Sequence, residues 1–177
     1  MILGVDFSLT ATGVCSIADA EAECVTVGSR ATDWWAFGDR PREIAAAVDA
    51  WHREDRPAWV IESPSYMSRG RGHDKVLIGW HMFVDHMIFG LGYEPPLLVS
   101  PSQVKKFATG AGNASKRDVE RAVWRRYPDV ELRDDNQADA LVLAAIGSAA
   151  YGEPFNGSLT KYQHEVVEAV RLGKDTK

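Results

Sequence analysis

Three strand-like runs open the chain with only turns between them: Ile2 to Asp6, Thr12 to Ala18 and Glu23 to Gly28. Each is short and rich in apolar and β-branched residues, and connections this brief suit antiparallel neighbours. The N-terminal end is thereby committed to a meander on which everything later must pack. Pro41 then opens a helix whose apolar positions Ile44, Ala47, Val48 and Trp51 recur at helical spacing up to Asp55. Ala58 to Glu62 is a fourth strand, followed by a loop from Ser63 to His73 that holds Pro64, Gly70 and Gly72. A helix runs from Asp74 to about Phe89, and Pro96 to Ser100 is a fifth strand. Pro101 starts a short helix, Ser115 caps another that reaches about Tyr127, and Asp134 to Ala149 is an Ala- and Leu-rich core helix. This succession of strands and helices predicts an α/β fold with a mixed five-stranded sheet, three strands antiparallel and two parallel, and helices on both faces.

With 177 residues, 45% of them hydrophobic, the chain has room for one domain with a sizeable core. We assign that domain to residues 1–150 and read 151–177 as a C-terminal extension with a short amphipathic helix between Leu159 and Leu172. The longest apolar run, Leu141 to Ala150, is too short to cross a bilayer, and the N-terminus has no basic region leading into an apolar one. No membrane association is expected. Two cysteines, Cys15 and Cys24, supply neither a disulfide framework nor a zinc finger, which points to a reducing cytoplasm.

One helix carries more apolar surface than a sheet face needs. Val76, Trp80, Phe83 and Met87 form one stripe, and Leu77, Val84, Ile88 and Leu91 form another. A helix apolar on two sides is either deeply buried or shared between a core and a partner chain, and we expect a homodimer through the second stripe.

The net charge of −5 argues against coating nucleic acid by overall attraction. The charge is unevenly spread. Lys105, Lys106, Lys116, Arg117, Arg121, Arg125 and Arg126 cluster in sequence, and Asp129, Glu131, Asp134, Asp135 and Asp139 follow them. The plain reading of such a stretch is a solvated helix surface of mixed sign; the other is a basic face beside an acidic site. The positions of three acids favour the second. Asp6 ends the first strand, Glu62 ends the fourth, and Asp139 lies near the start of the last core helix. Strand ends in an α/β sheet converge on one rim, and carboxylates gathered there unpaired raise one another's pKa unless divalent cations neutralise them. Oxygen donors select Mg²⁺ or Mn²⁺ over zinc. Taken singly, each acid reads equally as a cap, a surface charge or half of an ion pair.

The sequence around these positions is more specific. Asp6-Phe-Ser-Leu-Thr-Ala-Thr-Gly13 is an acid followed by a hydroxyl-rich turn, where Thr10 or Thr12 is placed to approach a phosphate. Val99-Ser-Pro-Ser-Gln-Val-Lys105, Gly110-Ala-Gly-Asn-Ala-Ser-Lys-Arg117 and Asp134-Asp-Asn-Gln-Ala-Asp-Ala-Leu141 complete a set of four blocks. In this combination and order, over about residues 1–150, the chain resembles the RuvC family of Holliday junction resolvases and looks most like its bacteriophage branch. The resemblance implies a ribonuclease H-like fold, a homodimer, and hydrolysis of phosphodiesters in branched DNA, four-way junctions above all and forks or flaps as further substrates. It implies two Mg²⁺ ions per active site, with Mn²⁺ as a substitute, one producing hydroxide from water and the other stabilising the leaving oxygen.

Carried over position by position, the resemblance makes Asp6, Glu62 and Asp139 metal ligands. The family's second helix acid, three residues before the last, falls on Asn136. Asp135, four residues before Asp139 and on the same helix face, takes its place in our reading, with Asn136 as the alternative ligand through its carbonyl oxygen. Asp134 is then a cap or a surface acid. Lys105 and Lys116 match basic positions that resemble the family's DNA contacts. Tyr66 and Met67, in the loop after Glu62, lie near where related resolvases insert an apolar wedge, and Arg69 and Arg71 flank them. Of the histidines, only His73 in that loop is placed to assist a proton transfer. Two rival readings remain: an actin-like or sugar-kinase enzyme, whose first strand also ends in an acid and a Thr-containing phosphate turn, and a DNA-binding module of the same fold without activity, which Asn136 favours. Those kinases need two lobes, and this chain has length for one.

Overall fold

The computed structural model describes residues 1–28, 38–51, 56–64 and 73–174. Strands β1 (Ile2–Asp6), β2 (Ala11–Ala18), β3 (Glu21–Gly28), β4 (Ala58–Glu62) and β5 (Leu97–Val99) form one sheet in the order β3-β2-β1-β4-β5. The β1–β2 and β2–β3 pairs are antiparallel, and β1–β4 and β4–β5 are parallel, as the strand pattern predicts. Helices α1 (Arg40–Trp51) and α2 (His73–Asp85) cover one face. On the other lie α3 (Pro101–Thr109), α4 (Lys116–Arg126), α5 (Asp135–Ala150) and α6 (Lys161–Arg171).

Successive strand residues alternate between the faces, so each strand divides between two cores. Leu3, Val5, Val14, Trp59 and Ile61 point toward α1 and α2, where Ile44, Val48, Trp80, Phe83 and Met87 meet them. Cys15, Ile17 and Val60 point to the opposite face, into a core built around α5. Helix α5 is buried at every position from Gln137 to Ala149 except Asp139, which marks it as the central helix of the fold. The amphipathic C-terminal stretch forms α6, whose Val166, Val167 and Val170 enter the same core as α5.

Three glycines set how closely α5 lies on the sheet. A Cβ on Gly4 of β1 would overlap the Ala140 carbonyl and the Ala144 nitrogen, and one on Gly13 of β2 would overlap the Asn136 carbonyl. From the helix side, a Cβ on Gly147 would strike the Val60 side chain. The N-terminus of α5 is also pinned. Asp134 caps it by accepting from Gln137 N at 2.9 Å, while its other carboxylate oxygen accepts from Thr26 Oγ1 at 2.5 Å.

Two expectations change. The register of the β2–β3 hairpin sets Cys15 opposite Cys24, and the two are joined by a disulfide across the strands. Spacing in sequence did not reveal that pairing, and the cysteine count therefore no longer argues for a reducing compartment. The helix drawn from Asp74 to Phe89 is α-helical only to Asp85 and continues as a π-helical turn, His86–Gly90, in which Leu91 N donates to His86 O at 3.0 Å. Its second stripe is not bare, since Val84, Ile88 and Leu91 are half-buried against the core. The exposed apolar residues here are Val76, Ile78 and Phe89, the last at 84%.

Gly13→Ala should lower stability by about 1–3 kcal/mol, the usual cost of overpacking against backbone that cannot give way. Gly28→Ala, whose Cβ would meet nothing closer than 3.5 Å, should stay within about 0.5 kcal/mol of the parent. Urea midpoints of the two variants measure the difference.

Candidate active site

Alternation along the strands decides where the two strand-end acids point. Ile2 and Gly4 face α5, so Asp6 two residues on does too, and Val60 places Glu62 on that same face. The parallel register sets Val5 beside Ile61, so the two strands end side by side on their carboxylates. Gly13 lies opposite Asp6 on β2 and touches Asn136, the second residue of α5. One turn further along that helix stands Asp139. The three acids therefore meet under the N-terminal end of α5.

Their electrostatics record the meeting. Asp6 is pushed up to about 7, by burial first and then by Asp139, with Asp135 and Asp134 adding to it. Glu62 is pushed up to about 8 by burial and by Asp6 and Asp139. Asp139 rises to about 6, chiefly through burial, with Asp135 and Glu120 raising it further. Lys105 of α3 and Lys116 of α4 pull in the other direction on Glu62 and Asp139, so both lysines border the cluster. Asp135 is different. Its carboxylate is paired with the Lys116 ammonium, which holds it below the usual carboxylate range and raises the lysine. Asn136 is half-buried against β2 and has no side-chain hydrogen bond among the described residues.

No protein-family model matches the chain. A crossover junction endodeoxyribonuclease RuvC from Frankia alni is 32% identical over 150 residues, covering 81% of this chain and 75% of that protein. The chain belongs to the RuvC family. Among solved structures, Thermus thermophilus RuvC superposes with a TM-score of 0.63 at 22% identity, over 85% of this chain and 96% of that one. The same protein in complex with Holliday junction substrate gives a TM-score of 0.63 at 22% identity, over 85% and 95%. The yeast mitochondrial Holliday junction resolvase follows with 0.52 at 12% identity, over 97% and 83%. The fold is thus the ribonuclease H-like one of RuvC, and the actin-like and sugar-kinase reading is set aside.

Within this RuvC-type frame, several sequence expectations meet the structure unequally. Thr12 is fully buried, donates from Oγ1 to Ser8 O at 2.7 Å and accepts from Ser8 N at 3.2 Å, so its hydroxyl closes the turn after β1 and is not free for a phosphate. Thr10 is exposed beside Ser8 Oγ. Tyr66, Met67, Arg69 and Arg71 lie outside the described residues, as does the side chain of His73. Other contributors carried no signal in the sequence. Trp80 donates from Nε1 to Glu62 O at 2.9 Å and so fixes the end of β4 from the opposite side of the sheet. Glu120, one turn after Lys116 on α4, adds a further negative charge near Asp139. An acid on an exposed basic helix gives no hint of what its helix packs beside.

Among the described residues, no three His, Cys, Asp or Glu side chains are gathered closely enough to hold one ion as they stand. Asp135 is turned to Lys116. The donor chemistry nevertheless fits a hard divalent cation, since the converging groups are oxygens only, Asp139 raises Asp6, and both raise Glu62.

A carboxyl raised on folding stabilises the folded state below its unfolded pKa and loses that contribution as pH climbs through its folded value. Asp6, Glu62 and Asp139 start from 3.8, 4.5 and 3.8 and reach about 7, about 8 and about 6. The metal-free protein should therefore melt at progressively lower temperature from pH 5 to pH 8, and Asp6→Asn should flatten that fall. Millimolar Mg²⁺ should raise the melting temperature more at pH 8 than at pH 5. Thermal melts in a chelating buffer and then with Mg²⁺ check both.

Proposed function

We propose that this RuvC-family chain is a Mg²⁺-dependent endonuclease that hydrolyses phosphodiester bonds in branched DNA and resolves four-way junctions by paired nicks, working as a homodimer in the cytoplasm. The observation that carries this reading is the convergence of Asp6, Glu62 and Asp139 on one rim, flanked by Lys105 and Lys116. It is supported by the relative named as a crossover junction endodeoxyribonuclease and by the likeness to a resolvase solved with Holliday junction substrate. The nuclease unit is residues 1–150, with 151–177 as an extension, and forks or flaps are further candidate substrates.

Two divalent cations, when bound, supply a hydroxide nucleophile and stabilise the leaving 3′ oxygen, with Mn²⁺ able to replace Mg²⁺. The chain's own part is to present oxygen donors and hold the substrate. Asp6 and Glu62 are fixed by the sheet and Asp139 by α5, so three donors approach from rigid elements. Asp135 is the fourth acid in this reading, exchanging Lys116 for the site, and Asn136 is the alternative. Lys105 and Lys116 meet the phosphates that flank the cut. Tyr66, Arg69 and Arg71 act at the branch point, the ring against an unpaired base and the guanidinium groups on the backbone. Ile78 and Phe89, eleven residues apart on α2 and its π-helical turn, leave apolar surface for a second copy, and two symmetric cuts need two sites.

Asp6→Asn, Glu62→Gln and Asp139→Asn should each lower junction cleavage a hundredfold or more, at or beyond the ~10–100-fold seen when only the outer shell of a metal site is disturbed. Junction binding should stay near the parent's, because no phosphate contact is lost. Gel assays of nicking and of binding on one synthetic four-way junction separate the effects, and Mg²⁺-dependent cleavage retained by Asp6→Asn would reject the site.

The fourth ligand is tested by two variants compared side by side. Asp135→Asn should lose activity and Asn136→Ala should keep most of it, since a carboxylate contributes charge to a Mg²⁺ site and an amide does not. The reverse order would assign the position to Asn136.

A further inference from the structure

Helix α4 reads KRDVERAVWRR, five cations and two carboxylates, a net +3 on a chain of net −5. Its buried contacts are Val119 and Val123, which fixes the direction of the remaining side chains. Lys116 is taken by Asp135. Arg117, Arg121 and Arg125 then recur every four residues, form one row along the helix and are all exposed. None of the three has an ion-pair partner among the described residues. The two acids of the helix offset the row only in part. Asp118 accepts from the Ser115 hydroxyl at 2.6 Å and feels the Arg121 charge, while Glu120 acts on Asp139 at the acid cluster.

Helix stability does not account for these charges. Cations in the last turn, Arg125 and Arg126, favour the helix dipole, but Arg117 stands in the first turn, where the dipole opposes it. Trp124 lies next to the row and is 57% exposed, so no core explains it either. Behind the row, α4 walls an open cleft of about 580 Å³ whose other sides are Ala108 and Thr109 at the end of α3 and Tyr162 of α6. Arg121, Arg125 and Arg126 line it, against Asp118 as its one acid among the described residues. The Arg126 guanidinium is steadied there, 5.8 Å over the Tyr127 ring.

We propose that the arginine row of α4, with the cleft it shares with α3 and α6, is a second phosphate-binding surface, which carries a duplex arm of the branched substrate away from the acid cluster. The inference rests on the function proposed above. The row begins beside Lys116, at the cluster, and its eleven-residue helix runs about 16 Å at 1.5 Å per residue. At about 3.4 Å per base pair, that spans roughly five base pairs of an arm. Guanidinium groups are suited to phosphate oxygens, and the exposed Trp124 ring gives the row an apolar flank for deoxyribose.

The test is equilibrium binding of a synthetic four-way junction by the full chain, in chelating buffer so that no cutting occurs, from about 50 to 200 mM NaCl. Arg121→Gln/Arg125→Gln should weaken binding and reduce the slope of log affinity against log salt by about 1.8 per protomer, about 0.9 for each phosphate released. The parent's advantage should therefore shrink about tenfold between the two salt concentrations. Arg121→Lys/Arg125→Lys keeps the charge and should keep the slope. Both pairs change exposed side chains, and thermal melts confirm the fold. A glutamine variant with the parent's slope and affinity would overturn the surface and leave the row to an acidic protein partner. Failure of the unchanged protein to bind the junction would instead overturn the proposed function itself.

Discussion

The close seating of α5 on the first two strands is the contact on which the site depends. Gly4 and Gly13 leave no side chain between sheet and helix, and Gly147 does the same from the helix side against Val60. Backbone against backbone at this range fixes the depth of α5 as well as its direction. Asp134 and Thr26 then fix its first turn at the edge of β3. With the helix held at both points, Asp139 has one place to be, beside Asp6. A looser helix would still bury apolar surface, but its acid would meet water.

That placement has an electrostatic cost, and the protein's surface charges are arranged around it. Three carboxyls are desolvated near other acids, so each is raised and the fold loses stability as rising pH forces them to ionise. Lys105 and Lys116 offset part of the repulsion from the flanking helices. The pairing of Lys116 with Asp135 joins the two halves of the site, because a group suited to DNA phosphate is held by a group suited to a cation. In the function proposed above, substrate and metal would each release the partner that the other needs. The same helix that brings Lys116 to the acids carries the arginine row outward, so acid centre and basic track are geometrically one unit.

Much of the fold was legible because it depends on local patterns. Short β-branched runs with turns between them specify a meander, and Ser100 and Ser115 cap their helices as hydroxyl residues before helical runs do. Asp134 was readable as a cap for the same reason. What failed was set by register or by contact. Thr12 looked available because hydroxyl residues crowd the first turn, yet its hydroxyl closes that turn on Ser8. Cys15 and Cys24 pair because the hairpin places them opposite, which counting cysteines does not show. The second stripe of α2 looked surplus, although most of it lies half-buried at the edge of a core that the helix shares with α1.

The sequence by itself determined the succession of strands and helices, the helix starts, and the presence of acids at two strand ends and in one buried helix, since alternation, caps and apolar period are properties of neighbours along the chain. Whether those acids met was a question for packing. Only the tertiary structure decided that Asp6, Glu62 and Asp139 are desolvated around the N-terminal end of α5, that Trp80 and Glu120 belong to their surroundings, and that Asp135 is paired with Lys116. Each of these joins residues distant in sequence or set by helix orientation, and the distances follow from how closely glycine lets a helix approach a sheet.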